Sequence, residues 1–301
     1  MTDEKTTAPA AAAPSRNFDL LRRLSATPEL GPAILLVVML VVFTSINPAF
    51  MSLNNISNAL TFTVELGLIA LGMTLLMTSG EFDLSVGSVF GFTAVVMWTL
   101  INSTALGMPL SFLIAMAIAL LIGAVNGFFV TRLKIPSFLV TLGMLLVVRG
   151  SALWLTSGFP QRTWETGNQW LAEVLVGDFC IGGTGDFCSG GLRVYMSVIW
   201  FVLFAVLLHY VLTRTRFGNW VQATGGNAAA ARNRGVPILR VKMFLFMLTS
   251  ALAGLAGIIS SIRVSAANPN SGTTYELEVI AMVVIGGTAL MGGRLSLIHI
   301  S

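Results

Sequence analysis

The chain has 301 residues, of which 55% are hydrophobic and only 10% charged, and its mean hydropathy is +0.85. A soluble domain carries about a quarter charged residues, so an ordinary water-soluble catalytic domain is excluded and a membrane protein is indicated. Seventeen Lys and Arg against thirteen Asp and Glu give a net charge of +4. The placement of that excess points to cytoplasmic loops, not to nucleic acid.

Residues 1–30 open with MTDEKTTAPAAAAPSR, which has no apolar period and reads as a disordered cytoplasmic tail. It lacks the apolar core of a signal peptide, and Asp3 and Glu4 sit where positive charge belongs. From Gly31, apolar stretches recur, and a hydrocarbon core of about 30 Å asks for roughly 20 helical residues in each. Eight candidate spans follow, at about 31–47, 60–78, 84–101, 108–130, 136–156, 194–213, 242–262 and 277–293. The expected fold is therefore all-α and polytopic, with about eight transmembrane helices over 31–293. Only SGEFD separates spans two and three, and only TRLKI separates four and five, which predicts tight hairpins or broken helices.

Orientation follows from the cations, because Lys and Arg of short loops stay on the cytoplasmic side. With the N-terminus inside, the inner set is Lys5, Arg16, Arg22, Arg23, Arg132, Lys134, Arg214, Arg216, Arg232, Arg234, Arg240 and Lys242. The outer set is only Arg162, Arg193 and Arg263. Two loops are long: an outer one at about 157–193 and a basic inner one at about 214–241. The outer loop holds both cysteines, Cys180 and Cys188, around a Gly-rich stretch that lets them meet, and an oxidising exterior favours a disulfide over free thiols. Two cysteines and the isolated His209 and His299 make no metal site.

No Gly-Lys dipeptide occurs, since Lys5, Lys134 and Lys242 follow Glu, Leu and Val. A P-loop is therefore absent from this sequence, and any ATP drive must come from a partner. In the inner loop Asn227 is placed to cap a short helix over Ala228 to Arg234, with Gly225 and Gly226 before it and Gly235 and Pro237 after it. Such a low-profile helix suits either another protein's groove or an anionic lipid surface. Glu65 and Arg149 fall inside spans, where a charge costs about 2.5–3.5 kcal/mol. At 1.5 Å per residue they lie about 8 and about 10 Å below their outer span ends. An ion pair between them is the first reading, followed by snorkelling of each and by direct substrate contact.

Gly218, Ala223, Gly225, Gly226, Asn227, Ala230, Ala231 and Gly235 resemble the coupling-loop pattern of ribose/xylose-type permeases of ABC importers. SGEFDLSVGS at 79–88, NGFFVTRLKIPSFLVTLGMLLVVRG at 126–150 and NPNSGTTYELEVIAMVVIGGTALMGG at 268–293 are similar to that family's segments in the same order. The resemblance implies a multi-helix inner-membrane subunit that passes a simple sugar. It would work with a cytoplasmic ATPase carrying ATP and Mg²⁺, an external sugar-binding protein and a second permease copy; this chain itself would hold no cofactor. Competing readings are a permease for branched-chain amino acids or nucleosides, and an ion-coupled carrier.

A neutral sugar needs weak hydrogen-bonding sites along its path. Asp83, Ser85, Ser88, Asn126, Asn268, Asn270 and Glu276, all near span ends, are the candidates, against helix caps or packing groups as the alternative. The chain departs from the family in having Glu81-Phe82 where Gly-Ile is usual. It also departs in ending on LSLIHIS where the family adds about two helices to reach ten. Residues 294–301 are thus expected to be an atypical, truncated tail. Ser79 to Leu84 and Ser271 to Leu277 share Ser-Gly followed by aromatic, acid and Leu, on opposite predicted sides. That pattern fits an inverted repeat, chance similarity or simple N-capping by Asp83 and Glu276.

Overall fold

The computed structural model describes residues 30–162, 169–182 and 191–288. The chain divides into two units at Ile46. In the first, α1 (Leu30–Ile46) is apolar along its length. Its only hydroxyls near the C-terminal end, on Thr44 and Ser45, donate back to the carbonyls of Leu40 and Val41 at 2.6 and 2.5 Å. A helix without a polar face is the kind that lipid accepts.

The second unit starts with a 3₁₀ turn (Pro48–Met51), followed by α2 (Leu53–Thr78), α3 (Val86–Ser103), α4 (Met108–Thr131) and α5 (Ser137–Thr156). An outer-loop group comprises β1 (Gln161–Arg162), α6 (Gln169–Val176), β2 (Asp178–Ile181) and β3 (Leu192–Tyr195). Then come α7 (Met196–Arg214), α8 (Arg216–Gly226), α9 (Ala228–Asn233), α10 (Ile238–Val264), β4 (Ala266–Ala267) and α11 (Tyr275–Ile285). The all-α polytopic expectation holds, with two small antiparallel ladders added, β1 with β4 and β2 with β3.

Among the described residues six helices, α2, α3, α4, α5, α7 and α10, are long and apolar enough to cross a membrane, against the eight spans predicted. The first predicted span forms α1 of 17 residues and the last forms only the 11 residues of α11. After α11 the chain turns at 286–288, and residues 289–293 of the eighth span lie outside the described residues, as do the tail over 1–29, Cys188 and residues 294–301. α2 begins seven residues before the predicted span, because Ser52 accepts a hydrogen bond from the Asn55 N–H and starts the helix through a polar Asn-rich turn.

α10 is the central post. α2 and α4 run antiparallel to it: Gly72 lies against Thr249, and Gly123 against Phe246 and Met247. α3 crosses it where Gly254 meets Thr93 and Gly257 meets the Phe90 carbonyl. Small residues at these crossings let backbones approach, which is how helices associate where no hydrophobic effect drives them together. Two side chains cross-brace the pair, Thr93 Oγ1 to the Gly254 carbonyl at 3.3 Å and Trp98 Nε1 to Ser261 Oγ at 2.9 Å. α5 and α7 turn Leu139, Leu146, Val147, Leu203 and Val206 outward, as lipid-facing helices do.

The two segments that share the Ser-Gly motif each follow a long helix. Each long helix, α2 and α10, gives way to a non-helical segment, 79–85 and 265–274, and then to a second helix. α3 packs along α10 and α11 packs along α2, so each half lends its second helix to the other half's first. α2 and α3 do not form a packed hairpin; they are a broken pair spread over α10.

Gly257 tests the closeness of this packing, since a Cβ there would stand within 1.9 Å of the Phe90 carbonyl oxygen. We expect Gly257→Ala to cost about 1–3 kcal/mol by overpacking and to lower the melting temperature in detergent. Gly143→Ala, with open space around it, should leave the melting temperature unchanged.

Candidate translocation site and coupling surface

The second non-helical segment meets the start of α3, the helix that follows the first. A Cβ on Gly87 would fall 2.2 Å from the Gly272 carbonyl and 2.5 Å from Glu276 Oε2, and one on Gly91 would fall 2.7 Å from the Ser271 carbonyl. Only glycine on α3 allows the 269–272 backbone this close. Gly272 itself has φ +75°, a conformation that costs glycine nothing, and Thr274 follows with φ +73°. The chain thus turns back after Val264 and lies on the first turns of α3.

The sequence candidates fall into two groups around this junction. On one side Asp83, Ser85 and Asn126 come together, each fully buried. Asp83 Oδ1 accepts from the Ser85 backbone N–H at 2.8 Å and from Ser85 Oγ at 2.6 Å. Asn126 Nδ2 donates to Asp83 Oδ2 at 3.3 Å and to Ser85 Oγ at 2.9 Å. The start of α3 adds its positive end, which favours negative charge there. Ser88 stands apart from the cluster and donates to the Leu145 carbonyl at 2.9 Å, fastening α3 to α5.

On the other side Asn268 and Asn270 are exposed in the returning segment, where Asn268 Oδ1 accepts the Asn270 N–H at 2.9 Å. Glu276 lies beside Gly87 with Oε2 buried and, among the described residues, without a hydrogen-bond partner. It does not cap α11, whose N-cap is Thr274, and Asp83 does not occupy the N-cap of α3, which is Ser85. Both acids nevertheless sit at a helix start, Asp83 accepting the Ser85 N–H and Glu276 in the first turn of α11.

The predicted ion pair between Glu65 and Arg149 is not formed. Glu65 instead accepts from Arg263, at 2.8 Å from Nη2 and 2.9 Å from Nε, while the guanidinium lies 4.7 Å over the Phe62 ring. Arg149 donates from Nη1 to the carbonyls of Pro269 and Ser271 at 3.1 and 2.9 Å. The reason is that α2 and α5 are not neighbours: α5 packs on α3 and α4, and α2 on α10, α7 and α11. Arg263 was missed because the predicted seventh span stopped at 262, whereas α10 continues to Val264 and carries that side chain into the bundle. Reading Arg263 as the last turn of a helix antiparallel to α2 was the signal available.

A further pair was not foreseen. Glu81, the residue that departs from the family pattern, meets Lys242 at 2.5 Å, so the first break is tied to the base of α10. Close by, Gly80 approaches Gly225 of α8.

The inner loop forms α8 and α9, with Asn227 Oδ1 accepting the Ala230 N–H at 3.0 Å as predicted. Of the eight loop residues singled out, Ala223, Gly226, Asn227, Ala230 and Gly235 are exposed, Gly225 is half-buried, and Gly218 and Ala231 are buried. Gly218 packs under the end of α7, where a Cβ would strike the Leu212 carbonyl, so its role there is structural. Cys180 lies on β2, whereas its predicted partner lies outside the described residues.

This architecture is that of a multi-pass transport permease. Residues 55–299 match the family described as the branched-chain amino acid transport system / permease component, and the chain belongs to that family. It is 37% identical to the ribose import permease of Escherichia coli K12, over 87% of this chain and 78% of that protein. It is 35% identical to the ribose import permease of Bacillus subtilis 168, over 88% and 78% respectively. With the xylose transport system permease of Escherichia coli K12 the identity is 30%, over 93% and 83%. No solved structure matches the chain.

Glu65→Arg alone should leave two cations buried together, and even neutral removal of one partner from a buried pair costs about 3–5 kcal/mol. The charge swap Glu65→Arg with Arg263→Glu should recover a large part of the lost melting temperature, and the swap with Arg149→Glu should recover none. Equal damage in all three variants would count against the Glu65–Arg263 pair.

Proposed function

We propose that the chain is the membrane-spanning permease of a sugar importer driven by a separate ATPase. The observation that carries this reading is the junction of two interrupted helices, the start of α3 against residues 269–272. Transporters bind their substrates at such discontinuous helices, where free backbone groups are available inside the bilayer. Kinship with permeases named for ribose and xylose supports a pentose or hexose as the substrate. Asp83, Ser85, Ser88 and Asn126 would line one side of the path, and Asn268, Asn270 and Glu276 the other.

The end of the bundle that carries Lys242, α8 and α9 would face the cytoplasm of a bacterial inner membrane, since Arg132, Lys134, Arg214, Arg216, Arg232, Arg234 and Arg240 gather there. The ATPase would seat on the exposed Ala223, Gly226, Asn227 and Ala230, whose small side chains give a shallow knob next to Gly80 and the first break. ATP and Mg²⁺ would belong to that ATPase, and this chain would carry neither a cofactor nor catalysis of its own. An external binding protein would deliver sugar at the opposite end, where Cys180 and Cys188 would be bonded, and a second permease copy would complete the path.

The family's description favours one competing solute, a branched-chain amino acid. A zwitterion needs an anion and a cation free to receive it. Glu276 is an anion whose Oε2 has no hydrogen-bond partner among the described residues, but of the cations here Arg263 is paired with Glu65 and Arg149 donates to two backbone carbonyls, which favours the sugar.

A tagged chain purified from its native membrane in mild detergent should bring down a P-loop ATPase. Gly226 has no heavy atom within 4 Å of an added Cβ, so Gly226→Trp and Ala230→Trp should abolish that recovery at an unchanged melting temperature. Reconstituted with its partners, the parent chain should import labelled D-ribose or D-xylose and not L-leucine; import of leucine alone would reverse the assignment.

A further inference from the structure

Next to the β1/β4 ladder, α3 and α10 enclose a cavity of about 310 Å³. Its walls include Phe90 and Ala94 of α3, Ser260 and Ser261 of α10, and Asn268 and Ser271 of the returning segment. Ala266 and Ala267, which also line it, pair with Arg162 and Gln161 across the ladder.

Three properties define what fits. No ionisable side chain lines the cavity. Of the charges nearby, Glu65 is paired with Arg263, Arg149 donates to the carbonyls of Pro269 and Ser271, and Glu276, outside the lining, keeps Oε2 without a partner among the described residues. The lining itself is uncharged, which suits a neutral solute. Its polar groups are hydroxyls and one amide: Ser261 Oγ accepts from Trp98 and donates to the Ile258 carbonyl, so that hydroxyl is held in place. Asn268 commits its Oδ1 to the Asn270 N–H, and its amide nitrogen has no protein acceptor among the described residues. Finally, the volume lies at the lower limit of ligand pockets, about 300 Å³, which suits a single sugar ring and not two.

We propose that this cavity is a holding site for one neutral monosaccharide within the single permease chain. The sugar's hydroxyls meet Ser260, Ser271 and the Asn268 amide, and its C–H face lies towards the Phe90 and Ala94 wall. Because the site touches the 268–271 segment that rests on α3, occupancy is coupled to the junction of the two broken helices. This assignment rests on the sugar-importer reading, and its test separates the two.

Ser271→Cys places a thiol on the cavity wall and leaves the backbone carbonyl that Arg149 holds. Its labelling by N-ethylmaleimide is measured in membranes as the increment over the parent chain, which already contains Cys180 and Cys188. D-ribose or D-xylose at twice its half-protecting concentration should slow labelling about threefold, by the factor 1 + [L]/Kd. Sucrose and L-leucine should leave the rate unchanged, and adding Asn268→Ala, at an exposed position, should remove the protection. If the parent complex imports either pentose while neither alters labelling, the cavity assignment falls and the importer reading stands. If the complex imports leucine and no sugar, and leucine protects the thiol, the importer reading falls together with the sugar assignment. A thiol blocked without any solute added would mean that lipid or protein fills the space, and would also overturn the site.

Discussion

An interrupted helix inside an apolar bundle exposes carbonyl and N–H groups that lipid cannot satisfy. This chain contains two such interruptions, and much of its polar inventory is spent on them. At the second, Arg149 reaches from α5 to the carbonyls of Pro269 and Ser271, holding the returning backbone on Gly87 and Gly91 of α3. At the first, Asp83 takes the Ser85 N–H and hydroxyl, while Asn126 of α4 closes the cluster. The glycines of α3 and α10 are the other half of this arrangement, because they let the second break and α10 approach the start of α3.

The charges follow the same economy. Ionisable residues in spans are tolerated where they pair or meet backbone carbonyls. Glu65 is answered by Arg263, and Glu81, an addition relative to the family pattern, is answered by Lys242. The Glu81–Lys242 pair ties the first break to the foot of α10 beside α8, which links the surface proposed for the ATPase to the segment proposed for the solute. The cavity lining between α3 and α10 carries no ionisable side chain, which agrees with a solute recognised by hydroxyls and not by charge.

Much of the fold was legible because lipid imposes length and composition on each span, and six of the eight predicted stretches became helices long enough to cross. The Asn227 cap was legible for the same local reason, since a capping residue beside an Ala run acts within one turn. Pairing across the bundle was not. Depth along a helix placed Glu65 and Arg149 at one level, but nothing in one sequence states which helices are neighbours, and a two-residue error at the end of α10 hid Arg263. The SGEFDL and SGTTYEL similarity marked the two helix breaks. That the second break lies on the start of α3 through Gly87, Gly91 and Gly272 appears only when the helices are assembled.

The most direct measurement is sugar uptake per ATP hydrolysed by the reconstituted complex when Arg149 is replaced by Met and by Lys. Removing a charged donor from two buried carbonyls costs about 1–3 kcal/mol. If Arg149 anchors the returning segment, Arg149→Met should uncouple the complex, with ATP hydrolysis persisting and uptake lost, and Arg149→Lys should restore part of the uptake. Parental uptake by an Arg149→Met complex that has assembled and retained its melting temperature would contradict the anchoring of the returning segment on α3 as the basis of transport.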